Sequence, residues 1–222
     1  MTIILKCLWR LLFKWRPHWL LTAPRGAKEG KANFEVERKF RITEAELDAI
    51  IGRIAAMGFA NPRLIHMSDQ FLPVKIKGEM LRIRSESVDG HSETLLTIKE
   101  WVIVQGGKER SEEEAPLTNS GRSFLLRLGR MLNGGPLSGF SKVRQEHTSN
   151  NFPGVIITLD QVDGLGRYSG RYAEIEVLVP RDGNVEAARE QIAKLARQLF
   201  ADDRNPVELS YQQMLEKSQS EA

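Results

Sequence analysis

One cysteine, Cys7, occurs in 222 residues. An intramolecular disulfide is therefore excluded, and so is a zinc site built from spaced cysteines. Nothing in this cysteine usage demands export, and a cytoplasmic setting is the expectation. Histidine is also scarce, with four in the chain. His66 and His147 stand alone, and a lone histidine reads as a packed or surface residue rather than a ligand. There is no uninterrupted apolar run of membrane-spanning length, no internal repeat and no low-complexity block.

Basic charge is lacking where nucleic-acid binding would need it. The whole chain is +3. Residues 1–32 carry seven Lys and Arg against Glu29 alone, which leaves the body, 33–222, mildly acidic at −3. A nucleic-acid footprint would require a basic body, and none is expected. In the leader, MTIILKCLWRLLFKWRPHWLL, Lys6, Arg10 and Lys14 recur every four residues and form one stripe on a helix. These charges spoil a transmembrane span, and the clean apolar core of a secretory signal is missing. Two readings stand. The plainer one is an extension without structure, such as an upstream start codon would add. The other is a helix whose residues 3–21 touch an anionic membrane surface. TAPRGAKEGKAN then reads as a linker.

What is present is a body of 190 residues with enough length for one core. Eight runs read as strands: NFEVERKFRI, RLIHMSDQFLP, EMLRIRSES, ETLLTIKEWVIVQ, KERSEEEAPL, FSKVRQEHTS, GVIITLDQVD and GRYAEIEVLVP. TEAELDAIIGRIAAMG opens on a Thr43/Glu46 capping box and carries a helical stripe. SGRSFLLRLGRML, NVEAAREQIAKLARQLF and PVELSYQQMLEK read as three more helices. The short connections favour antiparallel pairing. Eight antiparallel strands favour a closed or nearly closed barrel in an α+β domain spanning 33–222.

Side-chain parity carries the chemistry. On one face of each strand lie Glu35, Glu37 and Lys39; Arg82 and Arg84; Lys99; Arg110, Glu112 and Glu114; Lys142 and Arg144; Asp160; and Glu174 and Glu176. The opposite parity is apolar. A sheet with one wet face would produce this alternation. Such a face usually mixes its charges, however, and here they cluster by kind. Closing the sheet with helices over the apolar parity would turn the charged parity into a lumen. Unpaired like charges there are tolerable only beside water, counter-ions or a ligand. Carboxylate pairs suit hard divalent cations, and Arg and Lys pairs suit phosphate oxygens.

FEVERKF resembles the E-x-E-x-K signature of the CYTH superfamily, the triphosphate tunnel metalloenzymes. The resemblance continues in order through R-x-R at Arg82–Arg84, Lys99 in TIKE, R-x-E-x-E at Arg110–Glu114, K-x-R at Lys142–Arg144, LD at Asp160 and E-x-E at Glu174–Glu176. The helix-to-strand segment HMSDQF, with GLG and ELSYQQML, is similar to the class IV adenylyl cyclase and thiamine triphosphatase branch. The resemblance implies an eight-stranded antiparallel tunnel that cleaves a triphosphate with Mg²⁺ or Mn²⁺. It implies Glu35, Glu37, Glu174 and Glu176 as metal ligands, with Asp160 helping. Substrate phosphates would meet Lys39, Arg82, Arg84, Lys99, Arg110, Lys142 and Arg144, with Glu112 and Glu114 lining the tunnel. Lys39, Glu35 and Glu37 would stand nearest the chemistry.

Three functions fit those parts. A metal-dependent hydrolase of tripolyphosphate, thiamine triphosphate or a nucleoside triphosphate needs the fewest. A class IV adenylyl cyclase also needs an adenine pocket, which Phe71, Trp101, Tyr168 and Tyr172 do not mark out. A polyphosphate-binding module without turnover should lack a metal carboxylate, and all four E-x-E glutamates are present. The sequence leaves a homodimer open.

Overall fold

The computed structural model describes residues 33–76, 79–104, 107–180 and 183–221. The basic leader lies outside them, as do the readings placed on it. Eight strands are described: β1 (Asn33–Ile42), β2 (Ala60–Ile76), β3 (Glu79–Val88), β4 (His91–Val104), β5 (Gly107–Pro116), β6 (Gly139–Thr148), β7 (Val155–Asp163) and β8 (Gly170–Pro180). The helices are α1 (Glu44–Ala56), α2 (Asn119–Asn133), α3 (Val185–Phe200) and α4 (Tyr211–Ser220). The strands are antiparallel and follow the order β1-β5-β4-β3-β2-β6-β7-β8 of a barrel. The fold is therefore the eight-stranded α+β barrel that the alternation and short turns imply. Among the described residues, no helix is long and apolar enough to cross a membrane.

Contacts divide the chain into two compact units. One contains Lys31–His66, Trp101–Ser111 and Phe140–Ala222. Its sheet places Val36, Phe40, Ile157, Leu159, Ala173 and Ile175 on one face. Ile50 and Ile54 of α1 and Ile192, Leu195 and Leu199 of α3 cover that face. Burying each such side chain fully contributes roughly 1.5–3 kcal/mol. His147 stands opposite Ile157 on this apolar side. It is buried, neither ring nitrogen has a hydrogen-bond partner, and burial pushes its pKa down. It is a neutral core histidine. His66 is exposed.

The other unit contains Met67–Glu100 and Glu112–Gly139 among its described residues. Leu72, Leu81, Ile83 and Leu96 pack under Leu125 and Leu126 of α2. Thr118 caps α2 by accepting the Gly121 N–H at 2.9 Å, and Gly134 ends it at φ 69°. The left-handed backbone needed at that stop is one that glycine adopts without strain.

HMSDQF lies wholly inside β2, as the strand reading of RLIHMSDQFLP has it, with no helix in that segment. One local expectation changes. The last helix begins at Tyr211 instead of Pro206. The Ser210/Gln213 capping box marks that start, because Ser210 accepts the Gln213 N–H while the Gln213 amide accepts the Ser210 N–H. Upstream of it, the Val207 N–H donates to the Lys39 carbonyl at 2.6 Å, which ties PVELS to β1 ahead of the helix.

The start of α1 is locked to the segment after α3. Arg204 donates to Glu46 at 2.5 Å, and Glu46 also accepts the Thr43 N–H at 2.7 Å. The Arg204 bond, then the Thr43 bonds, depress the Glu46 pKa from 4.5 to about 2. Because the folded pKa is the lower one, this stabilisation is complete above pH 4.5 and is lost as pH falls towards 2. Glu46 is about one-third exposed, so screening reduces the contribution to about 1 kcal/mol. Urea midpoints of wild type should therefore fall more steeply than those of Glu46→Gln between pH 5 and pH 2. Parallel pH profiles would remove Glu46 from the account.

Candidate active site

In the unit containing β1, β6, β7 and β8, strand register assembles the charged parity into rows. Glu37 stands opposite Glu176 across β1 and β8. The next row runs Lys39, Glu174, Thr158, Glu146, and the one after it Arg41, Tyr172, Asp160, Arg144. A carboxylate row thus adjoins rows that carry the cations. This face is not a wet one. Lys39 is 6% exposed, Lys142 4%, Asp160 2% and Glu174 8%.

Burial at that level demands partners. Asp160 accepts Arg144 Nε at 2.7 Å and Nη2 at 2.7 Å, Lys142 Nζ at 3.1 Å and the Tyr211 hydroxyl at 3.1 Å. Burial alone would raise its pKa, but Arg144 and Lys142 overcome this and hold the carboxylate below its ordinary range. Arg144 also reaches Glu174 at 2.5 Å. Burial opposes its charge, but Asp160 and Glu174 prevail and raise its pKa well above the ordinary value.

Lys39 is fixed from two sides. Its ammonium lies 3.3 Å from Glu174 and 3.7 Å from the centre of the Tyr211 ring. An ammonium over an aromatic face is attracted by the ring quadrupole. Tyr211 reaches this position from α4, with its ring against Phe140 and Tyr172. Burial, then the nearby Glu174 and Asp160 charges, push its phenol pKa well up, so the hydroxyl stays a donor.

The other unit carries a second, similar cluster. Asp69 is 1% exposed and accepts Arg84 Nε at 2.7 Å and Nη2 at 2.8 Å. Arg82 lies 3.6 Å from the same carboxylate. Thr97 donates to Glu114 at 3.2 Å. Gly139 abuts this site. A Cβ there would come within 2.2 Å of the Asp69 carbonyl oxygen, so only glycine permits the approach.

Most of the sequence-derived residues fall in one or other of the two units. Glu35, Glu37, Lys39, Lys142, Arg144, Asp160, Glu174 and Glu176 share the first unit, while Arg82, Arg84 and Glu114 share the second. Arg110 stands opposite Glu35 on β5. The side chains of Lys99, Arg110 and Glu112 lie outside the described ones. Sequence reading expected like charges without partners. Instead a buried aspartate sits against each cation pair, using the fork of an arginine and approaching the neighbouring cation.

A model of the CYTH domain matches residues 33–211. The chain belongs to the CYTH family. Among solved structures, the PH1819 protein of Pyrococcus horikoshii OT3 is similar at 27% identity and a TM-score of 0.62, over 82% of this chain and 98% of that one. A candidate adenylate cyclase from Vibrio parahaemolyticus matches at 21% identity and TM-score 0.58, covering 85% of this chain and 99% of its own. A candidate adenylyl cyclase from Hippeastrum with a dominant triphosphatase activity matches at 15% identity and TM-score 0.53, covering 83% and 95%. A search of curated proteins by sequence finds no significant match.

Within the CYTH domain, three residues escaped sequence reading as members of a site. Asp69 was visible only as part of HMSDQF. Tyr211 was visible only as part of ELSYQQML. Thr158 lies on the charged face, and its hydroxyl is buried without a hydrogen-bond partner. Among the described residues, no group of three His, Cys, Asp or Glu side chains is gathered to hold a metal. The facing Glu37 and Glu176 nevertheless fit Mg²⁺, which one or two carboxylates hold together with substrate phosphates rather than in an all-protein cage.

Proposed function

We propose that the protein is a divalent-metal-dependent phosphohydrolase acting on a triphosphate. The observation that carries this reading is the Glu37–Glu176 pair standing one row from the buried Lys39, with Arg144 two rows away and the buried Lys142 three rows away on the same face. A metal–polyphosphate complex has that same polarity, a hard cation beside a run of anionic oxygens. Glu37 and Glu176, with Glu35 on the same face, would hold Mg²⁺ or Mn²⁺. When bound, the ion would neutralise phosphate charge and polarise phosphate oxygens.

The chain's own groups would do the rest. Lys142 and Arg144 would bind phosphate oxygens, and Asp160 would keep the Arg144 fork in one orientation rather than ligate metal. Lys39, held between Glu174 and the Tyr211 ring, would meet charge that grows on the transferring phosphoryl group. Arg82 and Arg84 would bind phosphate in the same manner, oriented by Asp69. Such groups need no reorganisation at the moment of reaction, because their partners already fix them.

The test is incubation with Mg²⁺ or Mn²⁺ and, separately, tripolyphosphate, thiamine triphosphate and ATP. Orthophosphate release from at least one substrate is expected. Cyclic AMP with pyrophosphate would make the protein a cyclase. Tight tripolyphosphate binding without turnover would make it a binding module.

A further inference from the structure

Thr158 sits at the centre of the charged face, on β7, between Glu174 of β8 and Glu146 of β6. It is 1% exposed, and its hydroxyl has no hydrogen-bond partner. A buried hydroxyl without a partner costs stability, and native proteins rarely keep one idle. Its neighbours offer it little. One Glu174 oxygen lies 3.3 Å from the Lys39 ammonium and the other accepts from Arg144, and the Thr158 hydroxyl bonds to neither. Glu146 lies 3.7 Å from Arg63. Threonine is at home in a strand, but valine fills the same shape there without the polar cost.

From this we infer that Thr158 is a substrate-binding residue whose hydroxyl donates to a phosphate oxygen of the triphosphate. The inference rests on the triphosphate reading above and adds a contact to it. A hydroxyl gives the site something that its ammonium and guanidinium groups do not. It is a short, neutral donor in the row that contains Lys39, one row from the carboxylate pair. It therefore contacts the bound anion without adding to the repulsion among the cations. In the free protein the hydroxyl is a liability, and in the complex it is satisfied.

That division predicts opposite signs for stability and binding. Thr158→Val should unfold at or above the wild-type temperature, because it removes an unsatisfied hydroxyl and keeps the branched shape. The same variant should bind inorganic tripolyphosphate about tenfold more weakly by calorimetry in Mg²⁺, the loss expected for one hydrogen bond to a charged group. Thr158→Ser keeps the donor and should bind within about twofold of wild type. Wild-type affinity in Thr158→Val overturns the inference. So does a lowered unfolding temperature in that variant, which would mean that the hydroxyl has a structural partner. If wild type itself takes up no tripolyphosphate, the triphosphate reading fails, and this contact fails with it. Wild-type binding that Thr158→Val leaves unchanged removes the contact alone.

Discussion

Glu176→Gln loses metal-dependent triphosphate cleavage by at least about 100-fold in kcat/KM, while its far-ultraviolet circular dichroism and unfolding temperature stay close to wild type. Glu176 faces Glu37 directly, and both are half-buried on the charged side of β1 and β8. Like charges opposite each other destabilise a sheet. Neutralising one should therefore not unfold the domain. What it removes is half of the oxygen pair offered to a divalent ion. Lewis-acid stabilisation of a phosphoryl transition state amounts to several kcal/mol, and about 2.7 kcal/mol already corresponds to 100-fold. Glu37→Gln should behave in the same way. A Glu176→Gln protein that keeps more than a tenth of wild-type turnover would remove the pair from the metal site. One that is unfolded would make Glu176 a structural residue.

Asp160→Asn gives the opposite pattern, a large loss of stability in metal-free protein. Asp160 is the common acceptor for Arg144, Lys142 and Tyr211. The amide keeps the shape but removes the charge, and it cannot accept at both positions. Two buried cations then lose their principal counter-charge. Removing one partner of a buried ion pair costs about 3–5 kcal/mol. In a domain of this size that lowers the unfolding temperature by roughly 10 °C. The measurement belongs in chelator. A carboxylate whose only task is to ligate metal should be dispensable there, so an unchanged midpoint would return Asp160 to the metal site. A large drop makes it the clamp of the phosphate-binding cations.

The alternation of FEVERKF, LRIRSE, SKVRQE and YAEIEV was enough to read eight strands with a charged parity, because side-chain direction along a strand is a matter of backbone geometry alone. The first helix was legible for a similar reason, from its Thr43/Glu46 capping box and apolar stripe, whereas the Ser210/Gln213 box that starts the last one went unread. What pairs with what was not legible. Asp69 is one acid within HMSDQF, and nothing nearby in sequence shows that Arg84 lies against it. Asp160 reads as a spare carboxylate beside metal ligands until the β6–β7 register sets it opposite Arg144. Tyr211 meets Lys39 from a helix 172 positions further along the chain. Thr158 looks like any strand threonine, and only its burial and its idle hydroxyl set it apart. Like-charge clustering pointed to the candidate site, but the carboxylates that pair with its cations sit on neighbouring strands whose register the sequence does not show.

The most direct test of the account is ³¹P NMR of the reaction in ¹⁸O-enriched water with Mg²⁺, using whichever of tripolyphosphate, thiamine triphosphate and ATP turns over fastest. The account predicts product phosphate that carries the heavy oxygen, and no product once a chelator removes the ion. Unlabelled pyrophosphate with a cyclic nucleotide, phosphate release that survives chelation, or no reaction with any of the three would contradict it.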